Sequence, residues 1–214
     1  MTKAIVAQLS KAPVPGQVKT RMLTQLSPQN AMKLHTAMTE YLVQRLAGCA
    51  LYDYELWISK PHLFFSSLTQ CYSLQLCQQR TGSLGARLSH IASVHKHRPL
   101  ILIGSDCPAI DKKTITEALQ LINDKADVVL IPARDGGYVL LGCRRHWPEL
   151  YENIEWGTEN VFQQTLNRAE QLQLKTAQLP LMDDIDHPED IEKLSQLPGF
   201  NSLLDIDTLL PKPR

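Results

Sequence analysis

Short apolar runs alternate along this chain with amphipathic stretches of helical period. Ala4 to Leu9, Tyr54 to Ile58, Leu74 to Cys77, Leu100 to Ile103, Val128 to Ile131 and Thr176 to Leu179 are such runs, set off by turn formers, and this predicts buried strands. Between the first two, Ala31, Leu34, Met38, Leu42 and Leu46 recur at helical spacing behind the start signal Ser27-Pro28 and stop at Gly48. Pro61 to Leu68 predicts a short helix. Leu84, Leu88, Ile91 and Val94 mark another, and Ile115, Leu119 and Ile122 a third, for which Asp111 is a candidate cap. Trp156-Gly157-Thr158-Glu159 opens a helix through Val161, Phe162, Leu166 and Leu172, with Thr158 as cap and Glu159 in the first turn, where the helix dipole favours a carboxylate. A last helix runs from Pro188 to Leu197, and the tail from Pro198 to Arg214 shows two apolar patches, Phe200 to Leu204 and Leu209-Leu210, without a motif.

Strands alternating with helices predict a doubly wound α/β architecture with a mostly parallel sheet. The 214 residues form one expected domain, a core of about residues 4–194 followed by the tail, with no internal repeat or low-complexity linker. In such sheets ligands bind beyond the carboxyl ends of the strands. The segments that follow the strands are therefore where chemistry is sought.

Five of those segments carry charge. Ser10 to Arg21, after the first strand, has two prolines, Gly16 and the cations Lys11, Lys19 and Arg21, with Thr20 able to donate. Its shape and charge suit a phosphate group, the alternative being a solvated loop. Gly104-Ser105-Asp106-Cys107-Pro108 follows the fourth strand and presents one carboxylate. Arg134-Asp135-Gly136-Gly137-Tyr138 reads first as a hairpin turn, yet holds more polar chemistry than a turn needs. Gln79 to Arg87 adds two glycines that would let a ligand approach the backbone, and Gln79 offers a donor and an acceptor to a base edge. Asp183-Asp184-Ile185-Asp186-His187-Pro188-Glu189-Asp190 is the densest acidic cluster. Pro188 to Asp190 suit a helix start, while Asp184 and Asp186, two apart on an extended segment, point the same way.

Composition narrows the function classes. Lys plus Arg equals Asp plus Glu at 22 each, so no global field points to nucleic acid or an acidic membrane, and any anion site is local. Five scattered cysteines, without a CxxC pair or zinc spacing, read as reduced thiols. With no apolar leader and no run of membrane-spanning length, a cytoplasmic protein is expected.

Taken together, Val18-Lys19-Thr20-Arg21, Gly104-Ser105-Asp106-Cys107-Pro108, Asp135-Gly136-Gly137-Tyr138 and Asp184-Ile185-Asp186 resemble one family over about residues 4–194. It is the bacterial glycosyltransferase-like (DUF2064-type) group related to 2-phospholactate guanylyltransferase, within the nucleotide-diphospho-sugar transferase superfamily. The resemblance implies a single-domain GT-A (Rossmann-like) three-layer sandwich. It implies that Lys19 and Arg21, with Ser10, Lys11, Gly16 and Thr20 of the same loop, hold a nucleotide's phosphates. Gln79 and Gly82 match a base-reading Gln-x-x-Gly, Arg87 completes a Gly-x-Leu-Gly-x-Arg pattern, and Ser105 adjoins the metal-binding aspartate, Asp106. Asp186 matches a second metal ligand, with Asp184 as substitute or helper. Ser83 departs from the acidic residue usual in the glycine loop, and His187 from threonine.

A Mg²⁺ or Mn²⁺ ion on those carboxylates would neutralise charge on departing phosphate oxygens, a task Lys19 and Arg21 would share. The leading expectation is a metal-dependent glycosyltransferase that moves a sugar from a nucleotide-diphospho-sugar to a small-molecule acceptor, with Asp135 or Glu159 as base if it inverts. The alternative is a nucleotidyltransferase joining an NTP to a phosphorylated small molecule with release of pyrophosphate, which the cationic loop favours. A third reading is a nucleotide-binding module without turnover.

Overall fold

The computed structural model describes residues 3–209; Leu210 of the second tail patch lies outside them. Seven strands form one sheet: β1 (Ala4–Ser10), β2 (Tyr52–Ile58), β3 (Gln75–Gln78), β4 (Leu100–Ile103), β5 (Val128–Pro132), β6 (Tyr138–Cys143) and β7 (Thr176–Gln178), in the order β3-β2-β1-β4-β6-β5-β7. All neighbours run parallel except β6, which is antiparallel to both β4 and β5. Asp135-Gly136-Gly137 is the hairpin turn that reverses β5 into β6, so both readings of that stretch meet there: it is a turn, and it stands at the carboxyl end of the sheet.

Among the described residues, five α-helices flank the sheet: α1 (Pro28–Leu46), α2 (Leu63–Cys71), α3 (Leu84–Val94), α4 (Lys112–Asn123) and α5 (Val161–Gln171). Their starts follow local chemistry. Ser27 caps α1 by accepting from Asn30 N at 3.1 Å, and Asp111 caps α4 by accepting from Thr114 N at 2.8 Å. Because Asp111 caps α4, Asp106 is free of that duty. Ser83 caps α3 through Ala86 N, which gives the serine at the unusual position in the glycine loop a local purpose. Thr158 is not the cap of α5. Its hydroxyl donates to Glu155 O at 2.8 Å and closes the preceding turn, and α5 begins only at Val161, so Glu159 lies outside the helix. The predicted last helix is a 3₁₀ stretch, Pro188–Gln196.

The core has three parts. One lies between the sheet and α1, α2 and α4, a second between the sheet and α3 and α5. The third packs the outer side of α1 (Leu34, Met38, Tyr41) against Met22, Ile185, Ile191, Leu194 and the tail residues Phe200 and Leu209. Phe200 meets Tyr41 edge-on at 5.3 Å between ring centroids, and Tyr41 donates to Pro198 O at 3.0 Å. The tail, motif-free in sequence, is thus a packing element. Its consequence is functional: burying Met22 and Ile185 in one core fixes the loop after β1 beside the acidic segment.

Candidate active site

The carboxyl ends of β1, β4 and β5 open into a cleft of about 560 Å³. Its central feature is Lys19. Val18 and Met22 are buried on either side of it, and its backbone takes the left-handed conformation (φ 50°, ψ 43°), which places its ammonium inward, with the side chain 2% exposed. There the ammonium pairs with Asp106, with Asp186 Oδ1 at 3.2 Å, and donates to the carbonyl of Ile185. Arg21, on the solvent side, pairs with Asp186 Oδ2 at 3.0 Å. Burial alone would push the Lys19 ammonium down, but Asp106 and then Asp186 outweigh it and hold it above the ordinary lysine value. Asp106 shifts the other way: loss of hydration would raise its carboxyl, yet Lys19 beside it holds it below the usual carboxylate range. The side chain of Asp106 remains about half exposed to the cleft.

The acidic cluster divides by role. Asp183 pairs with Arg134 and Lys193, and Asp190 accepts from the backbone N–H groups of Asp186 and His187, which starts the 3₁₀ stretch. Asp184 and Asp186 turn to the cleft while Ile185 between them enters the core, the alternation expected of an extended segment. Burial, then Asp135, Asp186 and Asp106, push the carboxyl of Asp184 up to about 6. Negative charge is therefore in surplus on this side of the cleft. Hard oxygen donors with surplus charge suit a divalent cation in kind. In spacing, no group of three or more His, Cys, Asp or Glu among the described residues stands ready to hold one, and the Lys19 ammonium pairs with both Asp106 and Asp186.

Most of the residues singled out in sequence come together. Ser10, Lys11, Lys19, Thr20, Arg21, Gln79, Arg87, Ser105, Asp106, Asp135, Asp184 and Asp186 line the cleft; Gly16, Gly82 and Glu159 do not. Glu159 instead packs its backbone on the hairpin, where a Cβ on Gly136 would fall 2.0 Å from Glu159 O. The structure also alters the parts some residues play. The amide of Gln79 is not free for a base edge: it donates to Trp57 O at 2.6 Å and Ser10 O at 3.3 Å and accepts from Arg87 Nη1 at 2.9 Å. Ser105 is buried, accepting from Gln8 and donating to Leu9 O at 3.1 Å, so it braces β1 against β4. Gly85, expected to admit a ligand, admits Trp156, whose Nε1 lies 2.3 Å from where a Cβ would stand. Asp135 accepts from Gly137 N at 2.9 Å, holding its own turn.

Two cleft residues, His35 and Trp156, carry no chemical signal in the sequence, whereas Tyr138 stands in the cleft beside Asp135 as its motif suggests. His35 lies under the loop after β1, its Nε2 2.8 Å from the carbonyl of Lys11, and the acceptor there makes Nε2 the protonated nitrogen. It falls on the predicted apolar face of α1, where its period-matched place next to Leu34 was the only clue. Tyr138 and Trp156 meet edge-on, 6.4 Å between centroids, and line the cleft together with Leu84 and Leu88 of α3. Arg87, beside those leucines, has its Nε out of reach of water with no hydrogen-bond partner, and burial lowers its pKa.

Comparison with known proteins follows the same lines. A family model described as an uncharacterized protein conserved in bacteria (DUF2064) matches residues 42–158. A protein of Desulfovibrio desulfuricans G20 bearing the provisional name nucleotide-diphospho-sugar transferase superposes with a TM-score of 0.82 at 23% identity, covering 97% of this chain and 96% of its own. A CMP:2-keto-3-deoxy-manno-octonic acid synthetase complexed with CTP superposes at 0.61 with 13% identity, over 91% of this chain and 98% of that one. For the 4-diphosphocytidyl-2C-methyl-D-erythritol synthase of Anaerococcus prevotii DSM 20548 the values are 0.58, 12%, 89% and 94%. At these identities the likeness shows a shared fold. No curated protein matches the sequence. Among the described residues, no helix is long and apolar enough to cross a membrane.

Proposed function

The chain belongs to the DUF2064 family of conserved bacterial proteins, and from that premise we propose that it transfers a nucleotidyl group from a nucleoside triphosphate to a small anionic acceptor. The observation that carries this reading is the joining of Lys19 and Arg21, from the loop after β1, to Asp106 and Asp186, from two distant segments, in one cleft. Cations so placed receive the phosphate oxygens of a donor. The reduced solvation of Lys19 strengthens its field at the atoms it faces. In the proposed step an acceptor oxygen forms a bond to the α-phosphorus while the bond from that phosphorus to the β-bridging oxygen breaks. The electron pair leaves with pyrophosphate, whose charge Lys19, Arg21 and Lys11 would stabilise.

Asp106, Asp184 and Asp186 are the residues that would hold a Mg²⁺ or Mn²⁺ ion, whose contribution is charge neutralisation on the departing phosphate. A phosphate or carboxylate acceptor is already ionised near neutral pH and needs no base, which agrees with Glu159 lying away from the cleft. The names of the two synthases with the same fold lend weight to nucleotidyl transfer.

A second reading, glycosyl transfer from a nucleotide-diphospho-sugar, is favoured by the name of the Desulfovibrio protein, whose fold matches over nearly the whole chain. The two part on products. Incubation with Mn²⁺ and a panel of phosphorylated and carboxylated acceptors, offering NTPs and nucleotide-diphospho-sugars separately, releases pyrophosphate in the first case and nucleoside diphosphate in the second. Release of neither contradicts both.

A further inference from the structure

Through one ammonium Lys19 pairs with carboxylates from two distant segments, Asp106 and Asp186, the residues that would hold a divalent cation. It satisfies one oxygen of each, and the Ile185 carbonyl takes a further N–H. Asp186 is engaged on its second oxygen by Arg21, so a divalent ion arriving alone competes with two protein cations for one carboxylate. The backbone cannot yield easily, because Val18 and Met22 are buried on each side and Lys19 itself sits at positive φ, a conformation a side-chain-bearing residue keeps only under restraint. The side chain can yield. Lysine is a compact charge on a flexible four-carbon stem, and the cleft lies directly beside it.

We infer that Lys19 is a built-in substitute for the divalent cation, which makes metal binding conditional on the donor's phosphates. Free protein keeps Asp106 and Asp186 neutralised internally and binds a divalent ion weakly. When a polyphosphate arrives, Lys19 and Arg21 turn their N–H groups to its oxygens, both aspartates lose their partners, and the ion becomes the counter-charge they require. Metal and polyphosphate therefore bind with positive coupling, each tightening the other by the same factor. The inference rests on the proposed reading of the cleft as a phosphate and metal site, and it assigns Lys19 a positioning role that a plain phosphate contact would not have.

The test uses the full chain and Mn²⁺ alone, followed by water-proton relaxation. Lys19→Gln keeps a donor for the Ile185 carbonyl and removes the charge, and it is expected to bind Mn²⁺ at least tenfold more tightly than wild type, with Asp106→Asn on that background cancelling the gain. Equal Mn²⁺ affinity in wild type and Lys19→Gln overturns the inference while leaving the phosphate reading in place. Should Lys19→Gln fail to fold, the wild-type chain decides through thermal shifts with Mn²⁺, with inorganic pyrophosphate and with both. A joint shift well above the two single shifts added supports the coupling; a joint shift no larger than their total overturns it. If neither probe, alone or together, moves wild type or variant, the inference and the reading of the cleft fall together.

Discussion

The backbone N–H of Ile185 donates to the carbonyl of Asp106 at 2.8 Å. That one bond ties the acidic segment before the 3₁₀ stretch to the turn after β4, and on its other side the Ile185 carbonyl receives Lys19. The three parts of the site are therefore joined through main chain as well as through charge, with Ile185 anchored beneath them at 3% exposure. Backbone positions set by a packed core vary little, so the three segments keep their places around the cleft while the Lys19 side chain stays free to move.

Asp106→Asn is expected to lower turnover by on the order of 10²–10³, the scale seen when one preorganised electrostatic group is lost. Lys19 retains Asp186 and the Ile185 carbonyl, and Asp106 is half exposed, so the stability cost should stay near 1–2 kcal/mol, below that of breaking a fully buried pair. Steady-state kinetics together with denaturant titration check both numbers. A variant that unfolds readily yet keeps full activity per folded molecule would assign Asp106 to structure.

Arg87→Met probes the cleft guanidinium whose Nε has no partner. An ionic hydrogen bond contributes about 1.5–3 kcal/mol, so nucleotide or acceptor affinity should fall roughly 10- to 100-fold. Isothermal titration with the responsive ligand measures this. Unchanged affinity would mean that Arg87 serves only to hold Gln79.

Gly85→Ala should destabilise by about 1–3 kcal/mol through overpacking, because the new methyl meets the Trp156 indole and the Tyr151 carbonyl, and Trp156 fluorescence should change with it. Gly136→Ala should cost more. There the obstacle is the backbone of Glu159, and φ is +84°. Gly82→Ala, whose nearest obstruction is the Ala86 methyl at 3.5 Å, carries conformational strain alone. Equal stability of the Gly85 and Gly82 variants would show that Trp156 has room to move.

His35 gives a pH dependence of defined sign. It is 4% exposed, and burial, against the opposing pull of Asp106, lowers its pKa below the ordinary 6.5. Below pH 6.5 the unfolded chain binds a proton that the folded imidazole does not, so this residue subtracts stability as pH falls through that value toward its folded pKa. Replacing it in His35→Gln, which keeps a donor for the Lys11 carbonyl, should flatten the loss of melting temperature between pH 7 and 5. Identical slopes in variant and wild type would remove His35 from the account of acid sensitivity.

Much of this architecture is legible from local pattern. The stripe from Ala31 to Leu46 and its Ser27 cap, the buried runs of β1, β4 and β5, and the alternation of Asp184 and Asp186 around Ile185 all follow from period and capping chemistry. What pattern cannot supply is which polar atoms find each other. Gln79 has the same amide whether it faces a base or the carbonyls of Ser10 and Trp57, and the sequence that marks Lys19 as a candidate phosphate cation does not show that the burial of Val18 and Met22 turns it inward onto two aspartates. The antiparallel seat of β6 between β4 and β5 is decided by long-range pairing, and the contribution of the tail by the outer face of α1, which no window of sequence contains. Glu159 lies outside α5 for a local reason: the Thr158 hydroxyl donates to Glu155 O, so the helix starts later than the cap signal suggests.

On the proposed reading Lys19, Arg21 and the aspartates 106, 184 and 186 receive the phosphates and metal of one nucleotide. A crystal structure of the chain with Mn²⁺ and a non-hydrolysable nucleoside triphosphate, with anomalous data at the manganese edge, addresses it most directly. The expected result is a manganese peak on Asp106 and Asp186 with the Lys19 ammonium turned onto phosphate oxygens. Manganese and nucleotide bound outside this cleft, or a nucleotide whose phosphates lie away from Lys19 and Arg21, would contradict it.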